Sequence, residues 1–190
     1  SFAYREGRSS IDCARLHLGA RWLIKIDLHD FFGSIAESQV YLVFRNQGYS
    51  ELVSFELARI CTRSGERAEG WNGHLWVRGA SRRYPVIENY TARSMGFLPQ
   101  GSPTSGALAN AVATPLDRAL FEFAADGGLT FTRYSDDLAF STTRHLTRPQ
   151  AAAIVNRVTR ITAEHGFIVH RRKTRVVPPR ARHVVLGLVL

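Results

Sequence analysis

The clearest hydrophobic pattern in the chain is a strict alternation over residues 22–28 (WLIKIDL). The even-numbered positions are all apolar and would share one face of a β-strand, whereas Leu23, Lys25 and Asp27 would share the other. Asp27 then lies near the C-terminal end of this strand, where ligands and metal ions collect in open sheets. Considered alone, Asp27 is equally well explained as the cap of the turn that follows it.

A second alternation surrounds a pair of adjacent carboxylates. Residues 129–133 (LTFTR) and 138–142 (LAFST) are rich in β-branched and aromatic side chains, which predicts a hairpin with residues 134–137 (YSDD) at its tip. Asp136 and Asp137 repel each other when both are ionised, and paired hard oxygen ligands suit Mg²⁺. A solvated turn without a metal is the alternative, which turn statistics allow equally.

Helical periodicity accounts for much of the rest of the first half. Residues 10–18 predict one helix with a serine cap. Residues 37–61 predict two helices, of which Gly48 would close the first and Ser50 would cap the second. Residues 62–95 are polar, rich in arginine and dotted with glycine, and we interpret them as a loop or hairpin excursion.

A turn rich in glycine and proline opens the next predicted helix, at residues 96–105 (GFLPQGSPTS). Ser102 is the predicted N-cap and Pro103 the predicted first helical residue. Pro115 is expected to kink or divide this helix before residues 116–124.

The C-terminal part begins with an amphipathic helix from Thr147 to about His165, with Gly166 as its stop. Residues 167–170 and 182–190 then predict two further strands. Because helices alternate with strands and the strands include hairpins, we expect an α+β fold rather than a doubly wound parallel sheet.

Composition and charge narrow the class of protein. With 190 residues, 45% hydrophobic and 22% charged, the chain can form one globular domain with a real core. Its net charge of +9 favours polyanions, so nucleic acid is the leading partner class and an acidic membrane surface the alternative. Nearly all of the positive charge is arginine, and Lys25 and Lys173 are the only lysines.

Several features bound the setting of the protein. Cys13 and Cys61 belong to no CxxC or His/Cys cluster, so we expect neither a disulfide nor a zinc site. The expected location is the reducing cytoplasm. No apolar run reaches the length of about 18 residues that a membrane span needs, and no signal peptide opens the sequence. The chain begins at Ser1 without a methionine and ends at Leu190 within a hydrophobic run, which predicts a fragment.

Three segments stand in a fixed order along the chain: residues 27–32 (DLHDFF), 98–105 (LPQGSPTS) and 134–137 (YSDD). Together with residues 170–174 (HRRKT) and 185–188 (VLGL), they closely resemble the palm of a reverse transcriptase. The segments look most like those of the bacterial retron and group II intron enzymes, which typically carry an FF-SI segment, a PQG-PTS loop and a Y-DD turn. The resemblance covers nearly the full chain.

The resemblance implies a polymerase palm, in which an antiparallel sheet carries the catalytic hairpin, helices pack on one face and the fingers are partial. Residues 20–36 and 96–190 would form the catalytic core. Residues 1–19 and 37–95 would form the fingers-proximal helices and the excursion, with the thumb absent from the chain.

The resemblance also implies the roles of four catalytic residues. Asp27 and Asp136 would bind metal with help from the Leu28 carbonyl, and Asp137 would be the second carboxylate of the turn. Two Mg²⁺ ions, with Mn²⁺ able to substitute, would activate the primer 3′-hydroxyl and stabilise the leaving pyrophosphate. Lys173 would donate a proton to pyrophosphate, which arginine effectively cannot do; a surface lysine within a basic run is the alternative.

The implied substrate-binding residues are Leu28, Phe31, Phe32, Gln100, Gly101 and Ser102. Phe32 corresponds to the bulky residue beneath the sugar of the incoming nucleotide. A phenyl ring there leaves no room for a 2′-hydroxyl and offers it no hydrogen-bond partner, which favours dNTPs over rNTPs.

The function implied by the resemblance is RNA-templated DNA synthesis by a cytoplasmic enzyme of a bacterial retroelement or defence system. Its partners would be an RNA template, a DNA or RNA primer and dNTPs, with no membrane. Untemplated or protein-primed synthesis on the same fold is one alternative, suggested by residues 185–187 (VLG) where retron enzymes usually have Val-Thr-Gly. A non-enzymatic RNA-binding module, such as a splicing helper, is another, but a pure binder gains nothing from clustered carboxylates beside phosphates.

Overall fold

The computed structural model describes residues 1–63 and 95–190. The helices and strands, in chain order, are α1 (Ser10–Arg15), β1 (Trp22–His29), α2 (Glu37–Asn46), α3 (Glu51–Cys61), α4 (Ser105–Val112), α5 (Thr114–Gly127), β2 (Thr130–Tyr134), β3 (Asp137–Thr142), α6 (Arg148–Glu164), β4 (Ile168–Val169), β5 (Arg175–Val177), β6 (Val184–Val185) and β7 (Leu188–Val189). The excursion predicted at residues 62–95 lies almost wholly outside the described residues. Within those ranges, no helix has the length and apolar character needed to cross a membrane.

The strand β1 is the centre of an antiparallel sheet. β3 pairs with β1 along one edge, from Trp22 opposite Thr142 to Asp27 opposite Asp137, and β2 continues the sheet beyond β3. On the other edge of β1, β5 pairs near the start of the strand and β4 pairs at its end. The alternating strand and the hairpin predicted from the sequence are therefore both confirmed.

The main core lies on the face of the sheet formed by the even-numbered positions of β1. Ile24, Ile26 and Leu28 are no more than 2% exposed and pack with apolar side chains from all five helices α2 to α6. This arrangement confirms the α+β class and explains why β1 is apolar at every second position.

A smaller cluster lies on the opposite face of the sheet. Leu23 of β1 and Ala139 of β3 pack there against Ala14 of α1 and Val185 of β6. The same face carries Asp27 and Asp137 farther along the strands, at the edge of an open cleft. On this face of β1, the side chain near the start of the strand, Leu23, is therefore packed, whereas the side chain near its end, Asp27, is polar and lines the cleft.

Two predicted elements have different bounds in the structure. The helix predicted over residues 10–18 ends at Arg15, because the amide of Leu18 turns back to the Arg15 carbonyl in a tighter turn. The single strand predicted over residues 182–190 is instead the hairpin of β6 and β7. Leu186 and Gly187 both have positive φ, at 50° and 81°, as a two-residue hairpin turn requires.

The start of α4 also differs from the prediction. Its N-cap is Thr104, not Ser102, and Pro103 precedes the helix. The Ser102 hydroxyl instead lies 3.1 Å from the hydroxyl of Thr104, while the Ser105 hydroxyl donates to the Pro99 carbonyl. The other punctuation is confirmed: Pro115 stands in the first turn of α5, and Gly48, Ser50, Thr147 and Gly166 end or cap their helices as expected.

Candidate active site

The three aspartates of the two predicted motifs line one cleft, whose volume is about 820 Å³. The register of β1 and β3 sets Asp27 directly opposite Asp137. One residue farther on, the amide of Leu28 donates to the carbonyl of Asp136 at 2.9 Å, which ties the turn to the end of β1. Residues separated by more than a hundred positions in sequence are thereby held at one edge of the sheet.

The turn between β2 and β3 has a strained residue at its tip. Ser135 adopts a left-handed backbone with φ of 57° and is nearly buried. Left-handed conformations are uncommon for residues other than glycine, asparagine and aspartate, so surrounding contacts must hold this one. One of those contacts comes from Arg133.

Arg133 is a buried residue that the sequence analysis did not single out. Its Nη1 donates to the Ser135 carbonyl at 3.0 Å, while Nε and Nη2 donate to the two carboxylate oxygens of Asp117 in α5 at 2.6 and 2.8 Å. The strand alternation could have identified it, because Arg133 shares a face with Phe131, which packs on the apolar core. An arginine at such a position needs an acidic partner from elsewhere in the fold.

The cleft concentrates negative charge. Burial is the main cause that raises the pKa of the Asp137 carboxyl, and the charges of Asp136 and Asp27 raise it further. The ammonium groups of Lys25 and Lys173 act in the opposite direction. Both lysines of the chain are therefore close enough to influence the same carboxylate.

Lys173 forms a direct ion pair with one of the aspartates. Its Nζ donates to Oδ2 of Asp27 at 3.1 Å. The lysine is brought there by the turn after β4, where the amide of His170 donates to the Asp27 carbonyl at 2.7 Å. Because the lysine side chain is 59% exposed, the pair adds little to stability and can open readily.

The predicted nucleotide-contacting residues divide between the cleft and its surroundings. Leu28, Phe31, Phe32 and Gln100 line the cleft. Phe31 is buried and packs against Phe167, whereas Phe32 is only half-buried. Gly101 and Ser102 belong to the same turn as Gln100 but do not line the cleft, so the structure brings together only part of that predicted set.

Tyr4 is a further residue of the cleft that the sequence analysis missed. Its ring meets the edge of the Phe32 ring at a centroid distance of 6.1 Å. Its ring also stands over Gly106, where an added Cβ would come within 2.4 Å of the tyrosine ring. The absence of a side chain at Gly106 therefore makes room for the Tyr4 ring.

The donor set of the cleft fits a hard divalent cation. Carboxylate oxygens are the ligands that Mg²⁺ prefers, and the carboxylates of Asp27, Asp136 and Asp137 line this one cleft. In the described residues, no three metal-ligating side chains are already arranged around one point. One of the two Asp27 carboxylate oxygens, Oδ2, is paired with Lys173.

Comparison with known proteins identifies the family. All 190 residues match the family described as reverse transcriptase (RNA-dependent DNA polymerase). The chain is 36% identical over 191 residues to the retron Mx162 reverse transcriptase of Myxococcus xanthus, covering 97% of this chain and 37% of that protein. It is 29% identical over 190 residues to the retron Ec86 reverse transcriptase of Escherichia coli, covering 100% of this chain and 49% of that protein.

Solved structures support the same fold at much lower identity. The chain matches an apo telomerase from Candida tropicalis with a TM-score of 0.55 and 13% identity, over 95% of this chain and 36% of that one. A telomerase from Candida albicans matches with a TM-score of 0.51 and 13% identity, over 95% of this chain and 32% of that one. Because the family match extends over all 190 residues, this chain belongs to the reverse transcriptase family. It spans less than half the length of the retron relatives described above.

Proposed function

We propose that this member of the reverse transcriptase family carries the catalytic palm of an RNA-templated DNA polymerase, which adds dNTPs to a primer 3′-hydroxyl. The observation that carries the proposal is the position of Asp27 opposite Asp137, beside the turn that bears Asp136. Phe32 and Gln100 line the same cleft, so the residues proposed for catalysis and those proposed for nucleotide binding lie around one cavity. The similarity to retron reverse transcriptases supports the same reading.

The three carboxylates would hold the divalent cations. Asp27 and Asp136, with the Leu28 carbonyl, are the proposed ligands, and Asp137 is the second carboxylate of the turn. When bound, two Mg²⁺ ions would supply Lewis-acid activation of the primer hydroxyl and neutralise charge on the leaving pyrophosphate, with Mn²⁺ able to substitute. The chain's own contribution is to keep three negative groups together at the end of a rigid sheet.

Lys173 would act in two stages. In the described structure it neutralises Asp27. With a cation held at Asp27, Lys173 would be released at the rim of the cleft and would donate its proton to an oxygen of the leaving pyrophosphate. Donation leaves a neutral amine on Lys173, which regains a proton from water.

Phe32 would select the sugar of the incoming nucleotide. It is half-buried, and the rings of Phe31 and Tyr4 both meet it at an angle. A ring held in this way cannot easily move aside for a 2′-hydroxyl, so rNTPs would be rejected by steric exclusion and by the lack of a hydrogen-bond partner. Gln100 would contact the nucleotide from the other motif, with Gly101 and Ser102 shaping its loop.

The wider setting follows from the same proposal. The partners would be an RNA template, a DNA or RNA primer and dNTPs, in the bacterial cytoplasm, and the enzyme would serve a retroelement or a defence system. Residues 20–36 and 96–190 would form the palm core, and residues 1–19 and 37–95 the fingers-proximal part.

Primer extension tests the proposal directly. The full-length protein that contains this chain would be given a defined RNA template, an annealed primer, Mg²⁺ and dNTPs. We expect products that follow the template, that vanish when Mg²⁺ is chelated, and that are lost in Asp136→Asn but kept in Asp126→Asn, an exposed aspartate of α5. Products unrelated to the template would favour untemplated synthesis, and RNA binding without any synthesis would favour a binding module.

A further inference from the structure

We propose that Arg133 is a positioning residue that couples the Asp136-bearing turn to the wall of the nucleotide pocket; this inference rests on the proposed function. The side chain of Arg133 is fully buried, and Arg133 is not among the residues that line the cleft. It acts through the residues that it touches.

The first contact is with the turn. Nη1 of Arg133 donates to the Ser135 carbonyl, which belongs to the left-handed residue immediately before Asp136. A backbone bond also ties this turn to β1, because the Leu28 amide donates to the Asp136 carbonyl. The two bonds together set the direction in which the turn presents its carboxylates, because a left-handed serine does not hold that conformation by its own preference.

The second contact is with the pocket wall. The guanidinium carbon of Arg133 lies 5.5 Å from the centroid of the Phe31 ring and so within cation–π range. Phe31 in turn meets Phe32 at a centroid distance of 5.4 Å. One buried cation therefore touches both the catalytic turn and the residue that supports the proposed sugar-selecting ring.

Arg133 is itself fixed from two further elements. Asp117 of α5 accepts two of its N–H groups, and the Asn110 amide oxygen of α4 accepts a third at 3.1 Å. The planar fork of a guanidinium makes all of these bonds in one fixed geometry, which a lysine ammonium does not reproduce. Any shift of α4 or α5 is thereby transmitted to the Ser135 carbonyl.

Stability alone is a weak reason for such a residue. Burying an ion pair costs desolvation that its attraction only partly offsets, and well-packed apolar side chains often serve stability as well or better. A positioning role accounts for what an apolar residue could not supply, namely simultaneous bonds to a turn carbonyl, two helices and an aromatic face.

The test compares Arg133→Lys with Thr132→Val in full-length protein. Thr132 is the preceding residue of β2 and is equally buried, but its hydroxyl bonds to His17 and Cys13 on the opposite face of the sheet. We expect Arg133→Lys to lower kcat for dNTP addition by about tenfold to a hundredfold, the scale of misplaced reacting groups. We also expect a narrower dNTP-over-rNTP preference and an unchanged Kd for primer–template.

Thr132→Val should lower the melting temperature but keep kcat and sugar preference within about twofold of the unaltered protein. Asp117→Asn is the second variant. It preserves the shape of the side chain but removes the charge that anchors Arg133. It replaces Arg133→Lys in the comparison if that variant unfolds below the assay temperature. Loss of kcat and of sugar preference in Arg133→Lys or Asp117→Asn, without such loss in Thr132→Val, supports the inference.

Two results overturn the inference alone: unaltered kcat and sugar preference in the folded Arg133 and Asp117 variants, or an equal loss in Thr132→Val. In both cases the unaltered protein remains an active polymerase. If the unaltered protein makes no DNA under any priming condition, the proposed function fails together with this inference, and the two failures are thus distinguished.

Discussion

Asp27 of β1 and Asp137 of β3 stand directly opposite each other in the antiparallel pairing of the two strands. Like charges at such positions destabilise a sheet, typically by about 0.2–1 kcal/mol. Lys173 pairs with Asp27, but Asp137 has no such direct ion pair among the described residues, and its pKa is raised by burial and by the neighbouring carboxylates. The fold therefore gives up some stability to keep negative charge at this place, which is typical of a functional site.

Asp137→Asn should raise stability while it lowers activity. Removing one of the opposed charges should increase the free energy of unfolding by about 0.5 kcal/mol in metal-free buffer. This gain in stability should shrink as the pH falls. The pKa of Asp137 is raised on folding, so the unaltered protein takes up a proton there in the native state and loses the repulsion that the substitution removes. Thermal melts at several pH values in EDTA, with primer extension alongside, measure both effects.

The exposed Asp126→Asn is the control for this substitution. It should leave both melting temperature and synthesis nearly unchanged. Lower stability of Asp137→Asn across the whole pH range would contradict the electrostatic account of the site.

Phe32→Val should admit ribonucleotides. Shortening the half-buried ring opens space beneath the sugar, so the preference for dNTPs over rNTPs should narrow by about tenfold to a hundredfold. The ratio of kcat/KM for matched dNTP and rNTP on one RNA template measures the change. Phe121→Val, at a phenylalanine 63% exposed on α5, is the matched control and should keep the original ratio.

Lys173→Arg should separate charge from proton donation. Arginine can still pair with Asp27, but it does not give up a proton in the working pH range. We expect kcat to fall by about a hundredfold, within the range of general acid catalysis, with little change in the KM for dNTP. Pre-steady-state rates of dNTP incorporation measure this loss of kcat. The control is Arg172→Lys, at the exposed preceding residue, which should have the same rate as the unaltered protein. A Lys173→Arg enzyme of full activity would reduce Lys173 to a surface charge.

Stability should fall in mild acid because of His17. This buried imidazole lies 2.7 Å from both the Thr132 and the Ser141 hydroxyl, and burial lowers its pKa from 6.5 to about 4. As the pH falls, His17 therefore takes up a proton in the unfolded chain before it does so in the folded protein. The contribution of the neutral imidazole to the free energy of unfolding is complete above about pH 6.5 and is lost towards pH 4. At about 1.4 kcal/mol per pKa unit, the loss amounts to about 3 kcal/mol.

Denaturant unfolding between pH 7 and pH 4 tests this expectation. His17→Gln should be less stable at pH 7 but should show a flatter dependence on pH over that interval. His145→Gln, at an exposed histidine, should keep the original slope. An unchanged slope in His17→Gln would assign the acid sensitivity to other groups.

Much of the local structure could be predicted because short-range physics sets it. The period-two alternation of residues 22–28 predicted β1 and its buried face, and Gly48, Ser50, Thr147 and Gly166 marked the helix ends correctly. The hairpin of β2 and β3 was predicted with its carboxylates at the tip. Errors arose where several polar residues competed for one role, as at Ser102 and Thr104, or where two left-handed residues turned an apolar run back on itself at Leu186 and Gly187.

The sequence by itself determined which side chains were available for chemistry: three aspartates, two phenylalanines beside the first of them, and a lysine in a chain that has only two. It also determined that Asp27 and Asp137 belonged to strand ends, because alternation and turn residues act over a few positions. Only the tertiary structure decided that these strands pair with Asp27 opposite Asp137, that Lys173 reaches Asp27, and that Arg133 joins the turn to α4, α5 and Phe31. Such partnerships depend on packing between elements whose residues lie from 16 to 146 positions apart in the sequence, and no local pattern encodes which charge will meet which.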